Sequence, residues 1–349
     1  MPSDHPTDHS IRLAFIGAGI FARDAHLPSV LALGDTFEIA AVYNHRLDSA
    51  APLLEKLPPS VAASDITDDL AGLLARDDIE AVNVLLPIDV MPGVVEQALR
   101  AGKHVISEKP IAPDVATGRR LLDIYTKHND AEHSPQVWMV AENWRYEAAL
   151  LHAAEIIQRG DIGAPLLCHW AMHTGMMPDN KYYHTGWRRS GTWPGGFLLD
   201  GGVHHVAGLR LVLGEIAAVS AMTTQHRPDL PPADTLVAIL EFECGVTGTY
   251  CVTYATDAPW PPALRIVGEQ GALALPRQGL EITRNGHTQH ITLPAHQSVQ
   301  AELAAFAAAI RTGARHRNSP QQALQDVAVI EAMLRSAESG QRLAPERFV

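Results

Sequence analysis

Residues 11–22 read Ile-Arg-Leu-Ala-Phe-Ile-Gly-Ala-Gly-Ile-Phe-Ala, an apolar run that leads directly into a glycine-containing turn. The run predicts a buried strand, and the amphipathic stretch 21–33 predicts a helix after it. Gly17 permits a tight turn, Gly19 lets phosphates approach the backbone, and Ala22 keeps the helix close to the sheet. A glycine-rich turn alone is a weak signal, but the position between strand and helix is the context that the motif requires. The stretch therefore predicts the phosphate-binding loop of a dinucleotide-binding domain, with the anion at the helix N-terminus.

The second predicted strand, residues 38–43, ends in Tyr43-Asn44-His45-Arg46. Enzymes that prefer NAD usually carry an acidic residue here for the ribose hydroxyls, and this chain has none. Arg46, with Asn44 and His45, could instead bind a 2'-phosphate through charge-assisted hydrogen bonds. The alternative is a solvated arginine in an ordinary loop. The pattern favours NADP(H) over NAD(H).

The fold class predicted from the remaining pattern is α/β, with two domains. Further strands at 81–86, 104–107 and 137–141 alternate with helices at 92–101 and 114–128, which is typical of a parallel Rossmann sheet. Beyond residue 142, after a helix at 146–158, come short strands punctuated by Gly, Pro or Asn, at 236–242, 247–254, 264–267, 272–275, 280–283 and 289–293. Helices at 299–311 and 320–339 close the chain. We therefore expect a flexible tail (1–10), a dinucleotide-binding domain (11–142), and an α+β domain (143–349) built on a large, mostly antiparallel open sheet.

Composition excludes several classes of protein. The 349 residues are 46% hydrophobic and carry 39 acidic against 27 basic side chains, a formal charge of −12 that would repel nucleic acid. Three cysteines without C-x-x-C spacing indicate neither a disulfide framework nor a thiolate metal site. The apolar runs are too short to span a bilayer, and the polar start lacks the features of a secretory signal. We expect a cytoplasmic protein with no membrane or nucleic-acid partner.

Two further stretches carry reactive side chains. Glu108-Lys109-Pro110 follows a parallel strand, where open α/β sheets place ligands, so Lys109 could bind a substrate oxygen; a surface salt bridge is the alternative. In Gly195–His205, Asp200 and His204 stand four positions apart, on one face if the segment is helical, and could form an oriented proton donor or acceptor. Consecutive histidines face different ways in regular structure, so His204 and His205 do not favour a zinc site, and no metal is expected.

Taken together, the glycine loop, the Glu108-Lys109-Pro110 triplet and the Gly-Gly-x-x-x-Asp-x-x-x-His stretch resemble the glucose-fructose oxidoreductase, inositol dehydrogenase and MocA (Gfo/Idh/MocA) family over nearly the whole chain. Residues 143–146, 179–183 and 187–189 further resemble a fungal and bacterial NADP-dependent branch. The resemblance implies a dehydrogenase that transfers hydride between nicotinamide and a carbonyl or alcohol carbon of a sugar-, polyol- or aldehyde-type substrate. It implies that Lys109 orients the reacting oxygen and that either His204, together with Asp200, or Lys109 itself exchanges the proton.

The same resemblance implies the other contacts and the assembly. The expected cofactor contacts are Gly17, Gly19, Ile20, Phe21, Asn44, His45, Arg46, Leu86, Pro87, Glu108, Lys109, Trp187 and Arg188. The expected substrate contacts are Asn143, Arg145, Lys181 and His205. Trp187 could equally be a core residue. Specificity is expected to lie in the loops at 172–193 and 255–262, and the outer face of the second sheet is expected to form a homodimer or homotetramer.

Two rival functions remain open. One is a regulatory or sensor protein that binds a dinucleotide without chemistry, although the joint presence of Lys109, Asp200 and His204 argues against it. The other is an enzyme that keeps NAD(P) tightly bound and uses it for internal oxidation and reduction.

Overall fold

The computed structural model describes residues 9–129, 135–258, 264–276, 279–293 and 297–349, so most of the expected tail and part of the 255–262 loop lie outside the described residues. The chain divides into two compact units. The first comprises Met1–Ala112, Ala116–Asn143 and Gln297–Ala323, and the second comprises Pro113–Val115, Trp144–His296 and Leu324–Val349. The sequence-based division at residue 142 placed the 297–323 segment in the second domain, whereas by its contacts it belongs to the first unit. The periodicity of a helix does not reveal which sheet the helix packs against.

The first unit is built on a six-stranded parallel sheet. Its strands are β1 (Ile11–Ile16), β2 (Phe37–Tyr43), β3 (Ile66–Thr67), β4 (Ala81–Val84), β5 (His104–Glu108) and β6 (Trp138–Ala141). The spatial order is β3-β2-β1-β4-β5-β6, with every neighbouring pair parallel. Leu13 to Ile16 in β1 are fully buried, as expected of a strand covered on both faces. The strand order reverses direction between β1 and β4, which is where such sheets bind ligands.

Most helices of this unit connect consecutive strands, and the first of them begins irregularly. The predicted helix 21–33 starts as a π-helical turn, Ala22–His26, and continues as an α-helix only over Leu27–Ala32. The other α-helices with residues in this unit are Leu47–Leu54, Leu70–Leu74, Met91–Arg100, Val115–His128, Ser298–Thr312 and, up to Ala323, Pro320–Ser339. Short 3-10 turns occur at Gly34–Thr36, Ala63–Asp65 and Asn143–Tyr146.

The second unit is built on an eight-stranded sheet. Its strands are β7 (Pro165–His173), β8 (Ile216–Thr224), β9 (Thr235–Phe242), β10 (Thr247–Thr253), β11 (Leu264–Gly268), β12 (Gly271–Leu275), β13 (Leu280–Arg284) and β14 (His287–Ile291). The order is β14-β13-β12-β11-β7-β10-β9-β8, antiparallel except for the parallel pair β7 and β10. The expected antiparallel sheet is confirmed. Sequence reasoning missed β7 and β8 because one begins with proline and the other is rich in alanine, which has weak β propensity.

One face of this sheet is exposed. Along β9, Leu236 is 1% exposed but Val237 is 49% exposed, and Ala238 is 1% exposed but Ile239 is 52% exposed. The alternation means that only one face packs in the core. The helices of this unit are Ala148–Arg159, the 3-10 turn Gly186–Arg189, Gly196–Asp200, Gly202–Leu213 and, from Leu324 onward, Pro320–Ser339. Among the described residues, no helix combines the length and apolarity that a membrane crossing needs.

Candidate functional site

The two glycines of the loop have different surroundings: the fold requires a glycine at position 17, whereas position 19 has room for a side chain. Gly17 has φ +105°, and a Cβ there would lie 2.4 Å from the carbonyl oxygen of Leu85. Its N–H donates to the carbonyl of Tyr43 at 2.8 Å, so the turn is held by main chain on both sides. Gly19 is exposed, and a Cβ there would meet nothing within 4 Å. The loop therefore fits the pyrophosphate of a dinucleotide, which needs backbone it can approach closely.

The end of β2 is tied to this loop through Asn44. Its Oδ1 accepts the N–H of Ala18 at 3.1 Å, and its Nδ2 donates to the carbonyl of Arg46 and to Ser49 Oγ. Arg46 is 71% exposed and forms an ion pair with Asp48 at 2.8 Å. The guanidinium lowers the pKa of Asp48. Sequence reasoning noted the missing acid at the strand end but not this acid two residues beyond Arg46.

The end of β4 lies against Gly17. The N–H of Leu85 donates to Ile16 at 2.8 Å, and a Cβ on Gly17 would lie 3.0 Å from the Leu86 side chain. The carbonyl of Pro87 accepts N–H groups at the start of the next helix. Leu86 is thus placed beside the glycine loop.

Glu108 and Lys109 follow at the end of β5, with a cis peptide between Lys109 and Pro110. Glu108 Oε1 lies 3.0 Å from Nε2 of His26, and Glu108 Oε2 accepts the backbone N–H of Lys109 at 3.2 Å. Lys109 is half-buried. Sequence reasoning missed His26, because the pairing spans 82 residues and the ring comes from the π-helical turn.

Polar groups also collect beyond the end of β6 in the first unit. Asn143 Nδ2 donates to Ser298 Oγ at 2.9 Å, and Asn318 Nδ2 donates to Glu302 Oε2 at 3.1 Å. Burial, together with the charges of Glu108 and Glu142, raises the pKa of Glu302 well above its usual range. Burial therefore favours the protonated form of Glu302.

In the second unit, the predicted Asp200 and His204 pair stands on two helices rather than one. Gly196–Asp200 ends at Gly201, and His204 lies in Gly202–Leu213. A Cβ on Gly201 would lie 1.8 Å from the Tyr254 hydroxyl, so this glycine is a packing requirement. Asp200 is buried, and its Oδ2 accepts Nε of Arg188 at 2.8 Å.

The two adjacent histidines have different surroundings, as the sequence predicts. His204 is half-buried, and its ring stacks on Trp144 with centroids 5.4 Å apart. His205 is 4% exposed, and its Nδ1 lies 2.6 Å from the hydroxyl of Tyr250. That hydroxyl is fully buried, and burial raises its pKa. His205 is thus a core residue, in place of the substrate contact expected from sequence.

Arg145 also differs from expectation. It is 4% exposed, and its Nη2 donates to both carboxylate oxygens of Asp326, at 2.8 and 2.6 Å. Arg210, itself paired with Glu215, reaches the same carboxylate. This buried ion network gives Arg145 a structural role, and the partner, 181 residues away, could not be found from sequence.

The 174–193 loop carries the remaining expected contacts. Arg188 lies 4.1 Å over the ring of Trp187, which is half-buried, and Lys181 lies 5.2 Å over the ring of Tyr182. Tyr183 donates to Asp229 at 2.7 Å, which ties the loop to the segment before β9. Within the described residues, no group of three or more His, Cys, Asp or Glu side chains could hold a metal ion.

Comparisons with known proteins agree with the architecture. Residues 11–133 match the oxidoreductase family with an NAD-binding Rossmann fold, and residues 154–344 match the C-terminal alpha/beta domain of that family. Dehydrogenase FPY6 of Fusarium mangiferae is 34% identical over 94% of this chain and 96% of its own. A crystal structure of an oxidoreductase from Thermotoga maritima is 36% identical with a TM-score of 0.87, covering 96% of this chain and 98% of the other. The dTDP-3,4-didehydro-2,6-dideoxy-alpha-D-glucose 3-reductase of Actinomadura kijaniata is 25% identical over 93% of this chain and 94% of its own. The chain therefore belongs to the Gfo/Idh/MocA family of NAD(P)-dependent oxidoreductases.

Proposed function

We propose that this oxidoreductase uses NADP(H) and acts on a carbonyl or alcohol carbon of a sugar-, polyol- or aldehyde-type substrate. The observation that carries the proposal is the loop in which Gly19 is exposed and open while Gly17 is locked by main chain. A dinucleotide pyrophosphate needs this combination of a rigid turn and bare backbone. A sugar-type substrate is supported by the relative from Actinomadura kijaniata, which is named as a reductase of a deoxysugar nucleotide.

The preference for NADP(H) rests on the end of β2. Arg46 is exposed beside Asn44, which orders the turn through three hydrogen bonds. A guanidinium binds phosphate through paired donors, and its present partner, Asp48, is itself 69% exposed. Arg46 can therefore exchange Asp48 for a 2'-phosphate without breaking a buried contact.

The proposed chemistry assigns one role to each side chain. When bound, the nicotinamide supplies or accepts a hydride. Lys109 donates hydrogen bonds to the substrate oxygen and stabilises the negative charge that develops there. His204 donates the proton to the substrate or accepts it from the substrate. The stacking of its ring on Trp144 restricts its orientation.

Asp200 and Arg188 complete the proposed site in the second unit. Their ion pair at 2.8 Å holds Arg188 over Trp187 and gives the 174–193 loop a defined position beside the His204 helix. Arg188 and Trp187 remain proposed cofactor contacts, and Asn143 and Lys181 remain proposed substrate contacts. Asp200 remains the proposed acid that orients His204.

The test is a spectrophotometric screen of NADPH oxidation against aldehydes, ketoses and inososes, repeated with NADH. We expect turnover with at least one compound and a higher kcat/KM for NADPH. Lys109→Met should reduce kcat by about a hundredfold or more while the Kd for NADPH stays near that of the wild type. Near-normal turnover of this variant would defeat the assignment of Lys109.

We further propose a homodimer or homotetramer formed through the exposed face of the second sheet. Exposed apolar side chains on that face include two cross-strand pairs, Met222 (75% exposed) with Val237 (49%) and Leu167 (49%) with Val267 (45%), and Ile239 (52%) two residues along from Val237. Several exposed apolar side chains on one face of a sheet are consistent with an interface. Light scattering coupled to gel filtration tests it, with Ile239→Glu expected to yield monomers.

The free thiols of all three cysteines support a reducing, cytoplasmic compartment.

A further inference from the structure

A buried histidine connects the glycine loop to the residue before Lys109. His26 is 0% exposed, and both of its ring nitrogens have partners: Nδ1 lies 3.0 Å from Asn83 Nδ2, and Nε2 lies 3.0 Å from Glu108 Oε1. An amide nitrogen only donates, so Nδ1 is the acceptor and Nε2 carries the proton. The imidazole therefore donates its single N–H to the Glu108 carboxylate.

The second oxygen of that carboxylate continues the chain of bonds. Glu108 Oε2 accepts the backbone N–H of Lys109, so the path from Asn83 through His26 ends on the main chain of Lys109. On its other side, His26 meets Phe21 of the glycine loop edge-on, with ring centroids 5.3 Å apart. His26 is also the last residue of the π-helical turn that follows the loop, and such turns occur frequently at functional sites.

Asn83 contacts the His26 ring through its side-chain amide nitrogen. Asn83 is 0% exposed in the otherwise apolar strand β4, and its Oδ1 has no hydrogen-bond partner. The amide nitrogen of Asn83 faces Nδ1 of His26, on the opposite side of the ring from Glu108. A buried arrangement of this kind selects one ring orientation and one tautomer of His26.

We propose that His26 is a positioning residue: by holding the Glu108 carboxylate it fixes the main chain of Lys109 and couples that lysine to the dinucleotide loop. The inference rests on the proposed function, because it assigns His26 an effect on a reaction in which Lys109 takes part. It concerns residues of the first unit only, and the side chain of His26 is fully buried.

Two matched substitutions separate positioning from packing. The side-chain amide of His26→Gln reaches the place of Nε2 and can donate to Glu108, whereas that of His26→Asn reaches only the place of Nδ1. Both remove the ring. We expect His26→Asn to lower kcat by about tenfold to a hundredfold and His26→Gln to recover most of that loss. The Kd for NADPH should change little in either variant.

A second readout does not depend on activity. The chain contains five lysines, Lys56, Lys103, Lys109, Lys127 and Lys181, so selective ¹⁵N-lysine labelling gives five backbone amide resonances. Lys109→Met identifies the resonance of Lys109. Without nucleotide, its amide proton should move upfield in His26→Asn, as the bond to Glu108 loosens, and stay in place in His26→Gln. His128→Asn, on the helix Val115–His128, is the control and should move nothing at Lys109.

The outcomes distinguish this inference from the proposed function. Equal losses of kcat and thermal stability in both variants, or an unmoved Lys109 resonance in His26→Asn, would overturn the positioning role. If neither His26 variant folds, Asn83→Ala keeps the ring but releases it and should shift the same resonance; no shift there would also overturn it. Unchanged turnover in Lys109→Met would instead refute the proposed chemistry, and the resonance would still decide the link from His26 to Lys109.

Discussion

Adding one methyl group to each loop glycine should separate nucleotide binding from folding. At Gly19, an added Cβ would meet no protein atom within 4 Å, and the residue's φ lies outside the left-handed region. At Gly17, the Cβ would lie 2.4 Å from the carbonyl oxygen of Leu85, with φ at +105°. In Gly19→Ala the added methyl group should therefore obstruct a bound dinucleotide. In Gly17→Ala it should instead collide with the protein itself.

The magnitudes follow from these environments. Gly17→Ala incurs about 1–3 kcal/mol of backbone strain, to which the contact with Leu85 adds, so a loss of roughly 2–4 kcal/mol is expected. At about 2–4 °C per kcal/mol, its Tm should fall by roughly 5–15 °C. Gly19→Ala reduces the entropy of the unfolded chain and should leave stability unchanged or raise it by about 0.4–1 kcal/mol. The Kd of Gly19→Ala for NADPH should rise about tenfold or more, which corresponds to about 1.4 kcal/mol.

Isothermal titration calorimetry gives the Kd, and thermal unfolding followed by circular dichroism without nucleotide gives the Tm. The two variants are matched in chemistry and lie two residues apart. A wild-type Kd for Gly19→Ala would show that the pyrophosphate does not lie over this glycine. A Tm loss in Gly19→Ala as large as that in Gly17→Ala would mean that the methyl group at position 19 collides with protein atoms.

Three further predictions concern cofactor choice, a buried ion network and pH. Arg46→Ala should raise the KM for NADPH and leave that for NADH nearly unchanged, whereas Asp48→Asn, which removes the competing carboxylate, should lower the KM for NADPH; equal effects on both cofactors would contradict the phosphate role. Asp326→Asn leaves two buried guanidinium groups without their shared charge and should reduce the free energy of unfolding in urea by about 3–5 kcal/mol. Glu241→Gln, which breaks an exposed ion pair, is its control and should change little. Because burial raises the pKa of Glu302 above its ordinary 4.5, the native state keeps a proton that the unfolded chain releases, and stability falls as pH rises above that value. Glu302→Gln should therefore raise the Tm relative to wild type more at pH 8 than at pH 5, and an equal shift at both would exclude this titration.

Much of the first unit could be predicted because its signals are local. The apolar run 11–16, the glycine spacing after it and the alternation of later strands and helices reflect propensity, turn chemistry and periodicity within a few residues. The same reasoning placed six strands of the second sheet but missed β7 and β8, whose alanine, proline and histidine content is atypical of strands. Their membership in the sheet depends on pairing with distant partners rather than on their own composition.

The candidate site divides in the same way. Gly17, Gly19 and Arg46 could be identified from neighbours in sequence, and Lys109, Asp200 and His204 from short motifs. Arg145 and His205 belong to motifs too, yet one pairs with Asp326 and the other with Tyr250 in the core. A motif gives the position of a side chain along the chain but not the group it faces after folding.

By itself, the sequence determined the class of fold, the glycine-containing turn after β1 and the candidate residues for binding and proton exchange, since each depends on the order of nearby residues. Only the tertiary structure decided that the 297–323 segment belongs with the first unit and that His26 hydrogen-bonds Glu108, 82 positions away. The same is true of the buried ion pair between Arg145 and Asp326. Burial and hydrogen-bond partners are properties of the packed chain, and residues far apart in sequence acquire them only when the strands and helices come together.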